Sequence, residues 1–221
     1  MKPKICVSIL PKTVTEAKTL IETAQQAQAD LIEIRLDQLK DINGLLSLKT
    51  NAETPLIATN HKAAIAKMDP QQTLLKAAKS GFEFIDIDIH NPNLKENIKE
   101  FVNHGAKPII SLHDYLGPIT NTELENILER EIENGAEICK IITTAKTLEN
   151  NLTILNFVQK ASRRTKIISF AMGEKGKISR LLSPLFGAYL TFAHLEGATE
   201  TAPGQMTIQE MRTAYALLGF K

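Results

Sequence analysis

Leu31-Ile32-Glu33-Ile34-Arg35-Leu36-Asp37 is a short, β-branched run in which every second residue after Leu31 is charged. Successive side chains of a strand point to opposite faces, so Ile32, Ile34 and Leu36 form an apolar row and Glu33, Arg35 and Asp37 an ionic one. Taken alone, this alternation fits an open antiparallel sheet with one face in water. The rest of the chain argues otherwise. Runs of strand character at 5–10, 31–37, 56–60, 82–89, 108–113, 138–143, 166–171 and 189–193 alternate with stretches of helical periodicity such as 13–29 and 122–134. That alternation marks βαβ units around a parallel sheet. Both faces of a parallel sheet are covered, so the ionic row must look into the interior, where a charge needs an opposed charge from a neighbouring strand.

Eight strands, each followed by a helix, can close into a barrel, whereas an open doubly wound sheet usually has fewer strands and carries a glycine-rich turn after the first. Here the first strand runs into Leu10-Pro11-Lys12-Thr13, with no glycine. The expected fold is an α/β (β/α)8 TIM barrel, one domain over residues 1–221. Helix ends carry matching punctuation. Ser80-Gly81, His104-Gly105 and Asn134-Gly135 each offer a glycine for a left-handed cap, and Asp69-Pro70 and Asn91-Pro92 each place a capping side chain before a first-turn proline. No linker or low-complexity stretch marks a second domain.

The parity of 31–37 returns elsewhere: Asp86 and Asp88 share a face, as do Ser111 and His113, and Lys140 stands in the middle of Ile138-Cys139-Lys140-Ile141-Ile142. Two readings of Lys140 are open, a buried ion pair with Asp86, Asp88 or Glu33, or a reactive amine with a perturbed pKa. His113 is either a strand-end residue capping a loop or a proton carrier. Glu33 and Arg35 either balance each other's charge or clamp a ligand.

Composition narrows the classes. The chain has 221 residues, with 26 Lys and Arg against 25 Asp and Glu, and no basic stripe, which argues against a nucleic-acid partner. The N-terminal apolar run is too short for a signal peptide, and no run reaches the roughly 18 apolar residues of a membrane span, so a cytoplasmic protein is expected. Cys6 and Cys139 both lie in apolar strands and are expected to be buried free thiols. His61, His90, His104, His113 and His194 lack metal-ligand spacing, and no metal is expected. Gly173-Glu174-Lys175-Gly176-Lys177 resembles a phosphate loop but lacks its spacing. The charge-rich run 123–133 is expected to be a solvated helix face.

Further motifs join those on the strands: Ser111-Leu112-His113-Asp114-Tyr115, Cys139-Lys140-Ile141, 172–180, 186–193 and Thr201-Ala202-Pro203-Gly204-Gln205. In this order and spacing the chain resembles, over nearly its whole length, the type I 3-dehydroquinate dehydratases, the Schiff-base class of the shikimate pathway. The resemblance implies that Lys140 forms an imine with the substrate ketone and that His113 is the general acid and base. It implies that Arg180 binds the substrate carboxylate, Glu33 and Arg35 the ring hydroxyls, and Ser8, His61, Thr201 and Gln205 further parts of 3-dehydroquinate. It also implies a small-molecule substrate, no cofactor and a homodimer.

Removing a proton next to a ketone and expelling hydroxide from the following carbon needs an electron sink, which a protonated imine supplies. Lys140 has to be neutral to attack, and Arg35 together with desolvation is expected to lower its pKa. The chain departs from the family at His61, where arginine is usual. It departs again at Ile65, near the place of a glutamate that orients the histidine, a role for which Asp86 is the candidate here. Thr201 stands for serine and Asp88 for glutamate. Two alternatives are another lysine-imine barrel of the class I aldolase type and a non-catalytic metabolite-binding barrel.

Overall fold

The computed structural model describes residues 2–50, 52–60, 69–117 and 119–220. Strands β1 (Ile5–Ile9), β2 (Leu31–Arg35), β3 (Leu56–Thr59), β4 (Phe84–Asp88), β5 (Lys107–His113), β6 (Ile138–Thr144), β7 (Ile167–Met172) and β8 (Thr191–Ala193) form one sheet in the order β7-β6-β5-β4-β3-β2-β1-β8. Every paired neighbour is parallel. The Tyr189 N–H donates to the Ile167 carbonyl at 2.7 Å, bringing the approach to β8 against the start of β7. The sheet is thereby a nearly closed barrel. A helix follows each strand: α1 (Val14–Gln26), α2 (Leu45–Thr50), α3 (Pro70–Lys79), α4 (Leu94–Asn103), α5 (Asn121–Glu133), α6 (Asn150–Ala161), α7 (Lys177–Leu182) and α8 (Ile208–Leu217). This is the expected (β/α)8 barrel.

The strand parity explains where the core sits. Ile32, Ile34 and Leu36 join the apolar layer beneath the helices with Ile21, Leu45 and Met211. The other face points to the axis, where Cys6, Leu31, Ile57, Phe84, Ile109, Ile138, Ile168 and Leu190 make an apolar plug near the N-terminal ends of the strands. Two residues further along each strand stand Ser8, Glu33, Thr59, Asp86, Ser111, Lys140, Phe170 and Phe192. The barrel axis therefore carries an apolar layer below a polar one, and the polar layer opens toward the end at which βα loops build sites.

Local details follow the expected chemistry in most places. Gly81, Gly105 and Gly135 take φ of 86°, 80° and 86° after their helices. The Asp69 side chain accepts from the Gln71 N–H ahead of Pro70. Five expectations are corrected. Strand β2 stops at Arg35, because Leu36–Gln38 turn into a 3-10 helix that takes Asp37 off the ionic row and against Arg35. Strand β8 is only Thr191–Ala193, and β4 begins at Phe84. Asn91 caps no helix; it lies in the loop before α4, where its side chain accepts from the Asn93 N–H and from the Asn97 side chain within α4. The 123–133 run is not uniformly solvated, since Glu131 is 0% exposed. It follows Leu124 and Leu128 at helical spacing, so it falls on the side of α5 that faces the sheet.

Candidate active site

The polar layer is organised around Lys140. The residue is only 4% exposed, and its side chain points from the middle of β6 to the axis. Nζ donates to Asp86 Oδ2 at 2.6 Å and lies 3.6 Å from Glu33 Oε1. The Phe192 ring covers it, with its centroid 4.6 Å from Nζ. Each carboxylate is held in turn: Ser111 Oγ donates to Asp86 Oδ1 at 2.6 Å, Thr59 Oγ1 to Glu33 Oε1 at 2.8 Å, and Ser8 Oγ to Glu33 Oε2. Opposed charges from β2, β4 and β6 converge on the axis, as burial of charge in a barrel requires.

The protonation of this cluster differs from expectation. Burial alone would lower the Lys140 pKa, but Asp86 and then Glu33 outweigh it, with only a minor opposing push from Arg35, so the amine is held above its ordinary value. Burial alone would likewise raise the Glu33 carboxyl, yet Lys140, Arg35 and the Ser8 hydroxyl hold it below the usual carboxylate range. The expected depression of Lys140 by Arg35 and desolvation is thus overturned. Two carboxylates lie within 4 Å of the ammonium, whereas the Arg35 guanidinium is itself occupied by Asp37, bonded at 2.9 and 3.3 Å.

Above Lys140 opens a cavity of about 230 Å³ lined by Glu33, Arg35, His113, Tyr115, Lys140, Phe170, Arg180, Phe192, Thr201 and Gln205 among others. His113 ends β5 and pairs in register with Ile142, as Ser111 does with Lys140, so it stands on the neighbouring strand one step nearer the mouth than the lysine. Tyr115 stacks on its ring, with centroids 6.2 Å apart and planes 16° from parallel. Asp86 lies against Lys140 and Ser111. His61 and Ile65, where the family's arginine and glutamate would fall, lie outside the described residues.

Arg180 comes from the short helix α7 that follows β7, and it is 1% exposed. Its guanidinium lies 4.2 Å from the Phe170 ring centroid, Nη2 donates to the Pro203 carbonyl at 3.3 Å, and Nε is buried with no hydrogen-bond partner. Burial pulls its pKa down to about 10, with Glu200 opposing. A buried cation with an unmade bond is suited to receive an anionic group. The Thr201 N–H and hydroxyl both donate to Gln205 Oε1, at 2.9 and 3.0 Å, folding that loop on itself. Gly204 is needed there: its φ is +74°, and a Cβ would lie 2.4 Å from the Gly173 carbonyl oxygen. The Gly173 N–H donates back to the Pro203 carbonyl at 3.1 Å. The Gly173–Lys177 stretch supports the Thr201–Gln205 loop and leads into α7.

The structure brings Lys140, His113, Glu33, Arg35, Arg180, Thr201 and Gln205 to one cavity. Ser8 lies outside its lining, beneath it as a partner of Glu33, and with Thr201 lines a neighbouring cavity of about 430 Å³. Sequence reasoning did not mark Phe170 and Phe192, although both sit at interior parity two residues after an apolar plug residue. Nor did it mark Tyr115 as a neighbour of His113, or Thr59.

Comparison with known proteins gives a consistent result. The family model for type I 3-dehydroquinase matches residues 5–221. A 3-dehydroquinate dehydratase of Coxiella burnetii is 34% identical over 96% of this chain and 92% of its own. That of Methanococcus maripaludis strain C7 is 34% identical over 97% of this chain and 100% of its own. Among solved structures, 3-dehydroquinate dehydratase from Geobacillus kaustophilus superposes with a TM-score of 0.90 at 23% identity, covering 99% of this chain and 92% of that one. The type I enzyme from Clostridium difficile with covalently modified comenic acid gives 0.87 at 25% identity, covering 98% and 92%. By sequence over nearly its full length, and by fold, the chain belongs to the type I 3-dehydroquinase family.

Proposed function

We propose that this chain, as one catalytic domain over 1–221, is a hydro-lyase that converts 3-dehydroquinate to 3-dehydroshikimate and water through a Schiff base on Lys140. The observation that carries the mechanism is a buried amine at the floor of a small cavity whose wall also holds His113 and the incompletely bonded Arg180. Arg180 pairs with the substrate carboxylate and fixes the ring, while Glu33 and Arg35 meet its hydroxyls. Lys140 starts as an ammonium, and its proton has Asp86 Oδ2 at 2.6 Å as an acceptor. The freed amine adds to the ketone, and the proton taken up by Asp86 returns to the carbinol hydroxyl, which leaves as water and gives a protonated imine. His113 removes the proton from the adjacent carbon, giving an enamine, and returns it to the hydroxyl leaving the next carbon. Water then hydrolyses the imine, releasing the enone and the lysine. Each step balances without an external oxidant, metal or organic cofactor.

The test is incubation with 3-dehydroquinate and borohydride, followed by mass mapping of Lys140 and ultraviolet detection of a conjugated enone. Adduct together with enone supports the reading; absence of both removes it. An adduct formed only with an aldol substrate would reassign the chain to the aldolase class; a solved aldolase shares this chain's fold at a TM-score of 0.60 and 13% identity. A cytoplasmic site of action fits the two unpaired buried thiols, Cys6 and Cys139. No helix among the described residues is long and apolar enough to cross a membrane. The homodimer implied by the family resemblance is measured by sedimentation.

A further inference from the structure

Behind Lys140, on the side of β6 away from the cavity, lies a third carboxyl group, one that the reaction above does not use. Glu131 projects from α5 into the layer between helices and sheet and is 0% exposed. Its Oε2 accepts a hydrogen bond from the backbone N–H of Lys140 at 3.0 Å. The Cys139 N–H crosses to the Lys166 carbonyl at the start of β7, so by the alternation of a strand the next peptide, that of Lys140, is directed toward β5. At that edge it meets a side chain descending from α5. The other oxygen, Oε1, is buried and has no hydrogen-bond partner. Leu124, Leu128, Cys139 and Ile141 belong to the apolar layer at this point.

We propose that Glu131 is a positioning residue for Lys140, which acts by fixing the peptide of the reacting lysine from behind the strand. A carboxylate with one bare oxygen in such a layer is expensive, and a protonated carboxyl keeps Oε2 as an acceptor at no charge cost. Burial pushes the Glu131 pKa up, against the smaller opposing effects of the Lys140 N–H bond and of the Cys139 thiol. The neighbouring Cys139 thiol is pushed up to about 12, first of all by its own burial. The other charged groups that act on this pair are Asp86 on β4, Arg130 on α5 and Arg164 beyond α6. Neutrality has a consequence on the far side of the strand. Lys140 already faces two carboxylates that hold it charged, and a third negative charge would make the free amine rarer still.

This inference rests on the Schiff-base reading for its kinetic test and stands apart from it in a second measurement. Glu131→Met keeps the volume and removes the acceptor, whereas Glu131→Gln keeps an acceptor oxygen without charge. With 3-dehydroquinate and borohydride, Glu131→Met is expected to slow both kcat and Lys140 adduct formation by roughly tenfold or more, through misplacement of the nucleophile. KM should stay near the wild-type value, and Glu131→Gln should restore the rate and leave the pH profile of adduct formation in place. Wild-type rates in Glu131→Met, no rescue by glutamine, or a pH limb displaced in Glu131→Gln would each overturn the proposal. Should wild-type protein form no adduct, the dehydratase reading fails first. Hydrogen exchange at the Lys140 amide, read by NMR without substrate, then decides for Glu131. Slow exchange in wild type and in Glu131→Gln with faster exchange in Glu131→Met is expected, and equal protection in all three rejects the role. If the methionine variant does not fold, the pH profile and amide protection of Glu131→Gln still test the proposal.

Discussion

In the proposed reaction Lys140 has to do two opposed things, sit charged in a dry interior and react as a free amine. The structure resolves the first with Asp86 and Glu33, whose carboxylates hold the ammonium more firmly than burial weakens it. Asp86→Asn takes away the stronger of these attractions, so the amine pKa should fall and the acid limb of kcat/KM should move to lower pH; a pH–rate series checks this, and an unmoved limb would contradict the assigned pair. Lys140→Ala should remove turnover and every borohydride adduct. His113→Ala should leave adduct formation measurable but slow turnover by about 100-fold or more, the usual weight of a positioned acid and base. Full activity in either variant overturns the role given to it. The ion pair also sets a stability trend. Because the folded-state pKa of Lys140 lies above its ordinary 10.5, its contribution is complete below that value and is lost as pH rises through the folded one. For Glu33, held below its ordinary 4.5, the contribution is complete above that value and is lost as pH falls through the folded one. At this scale the sequence already placed Glu33, Asp86, Ser111, His113 and Lys140 on inward faces by parity alone. It could not place the Lys140 pKa, because that depends on which of Arg35, Asp86 and Glu33 lies nearest, and Arg35 is turned away to Asp37.

At the scale of elements, the cavity is walled by pieces that depend on each other. The Thr201–Gln205 loop leans on Gly173, the residue after β7, and that contact leaves no room for a side chain at Gly204. Gly204→Ala would therefore carry both a left-handed strain and a collision with backbone; it is expected to cost more than about 1 kcal/mol in denaturant unfolding and to lower kcat/KM by displacing Thr201 and Gln205. Unchanged values for both would mean that the loop yields freely and does not shape the cavity. Caps and glycines at Gly81, Gly105, Gly135 and Asp69 were legible because each is a local bargain between a helix end and the residues beside it. The end of β2 was not, since continued parity through Asp37 gives no sign of the 3-10 turn that brings Asp37 onto Arg35. Nor was Arg180's helix. Lys177–Leu182 is only six residues long, and it is held from α6 by the Asn151 side chain, which accepts from the Ser179 N–H at 2.9 Å.

Taken whole, the molecule is a barrel with an apolar plug at one end and a charged layer above it, wrapped by helices of which one carries a buried acid to the backbone of Lys140. That acid leaves a signature on global stability. The folded-state pKa of Glu131 lies well above its ordinary 4.5, so whatever stability its protonated form provides is complete below that value and is lost as pH rises toward the folded pKa. Glu131→Gln should therefore gain in Tm relative to wild type as pH is raised from about 4.5 to neutrality, by calorimetry; a difference constant with pH would mean that Glu131 is ionised throughout. By itself the sequence determined the (β/α)8 architecture, the inward row of charges and the family motifs, because strand alternation, helix punctuation and motif order are written along the chain. Only the tertiary structure decided the charge held on Lys140, the seat of Ser8 beneath Glu33, the support of the Thr201–Gln205 loop and the burial of Glu131. Those depend on distances between residues far apart in sequence, and electrostatic and desolvation energies are set by such distances and not by order along the chain.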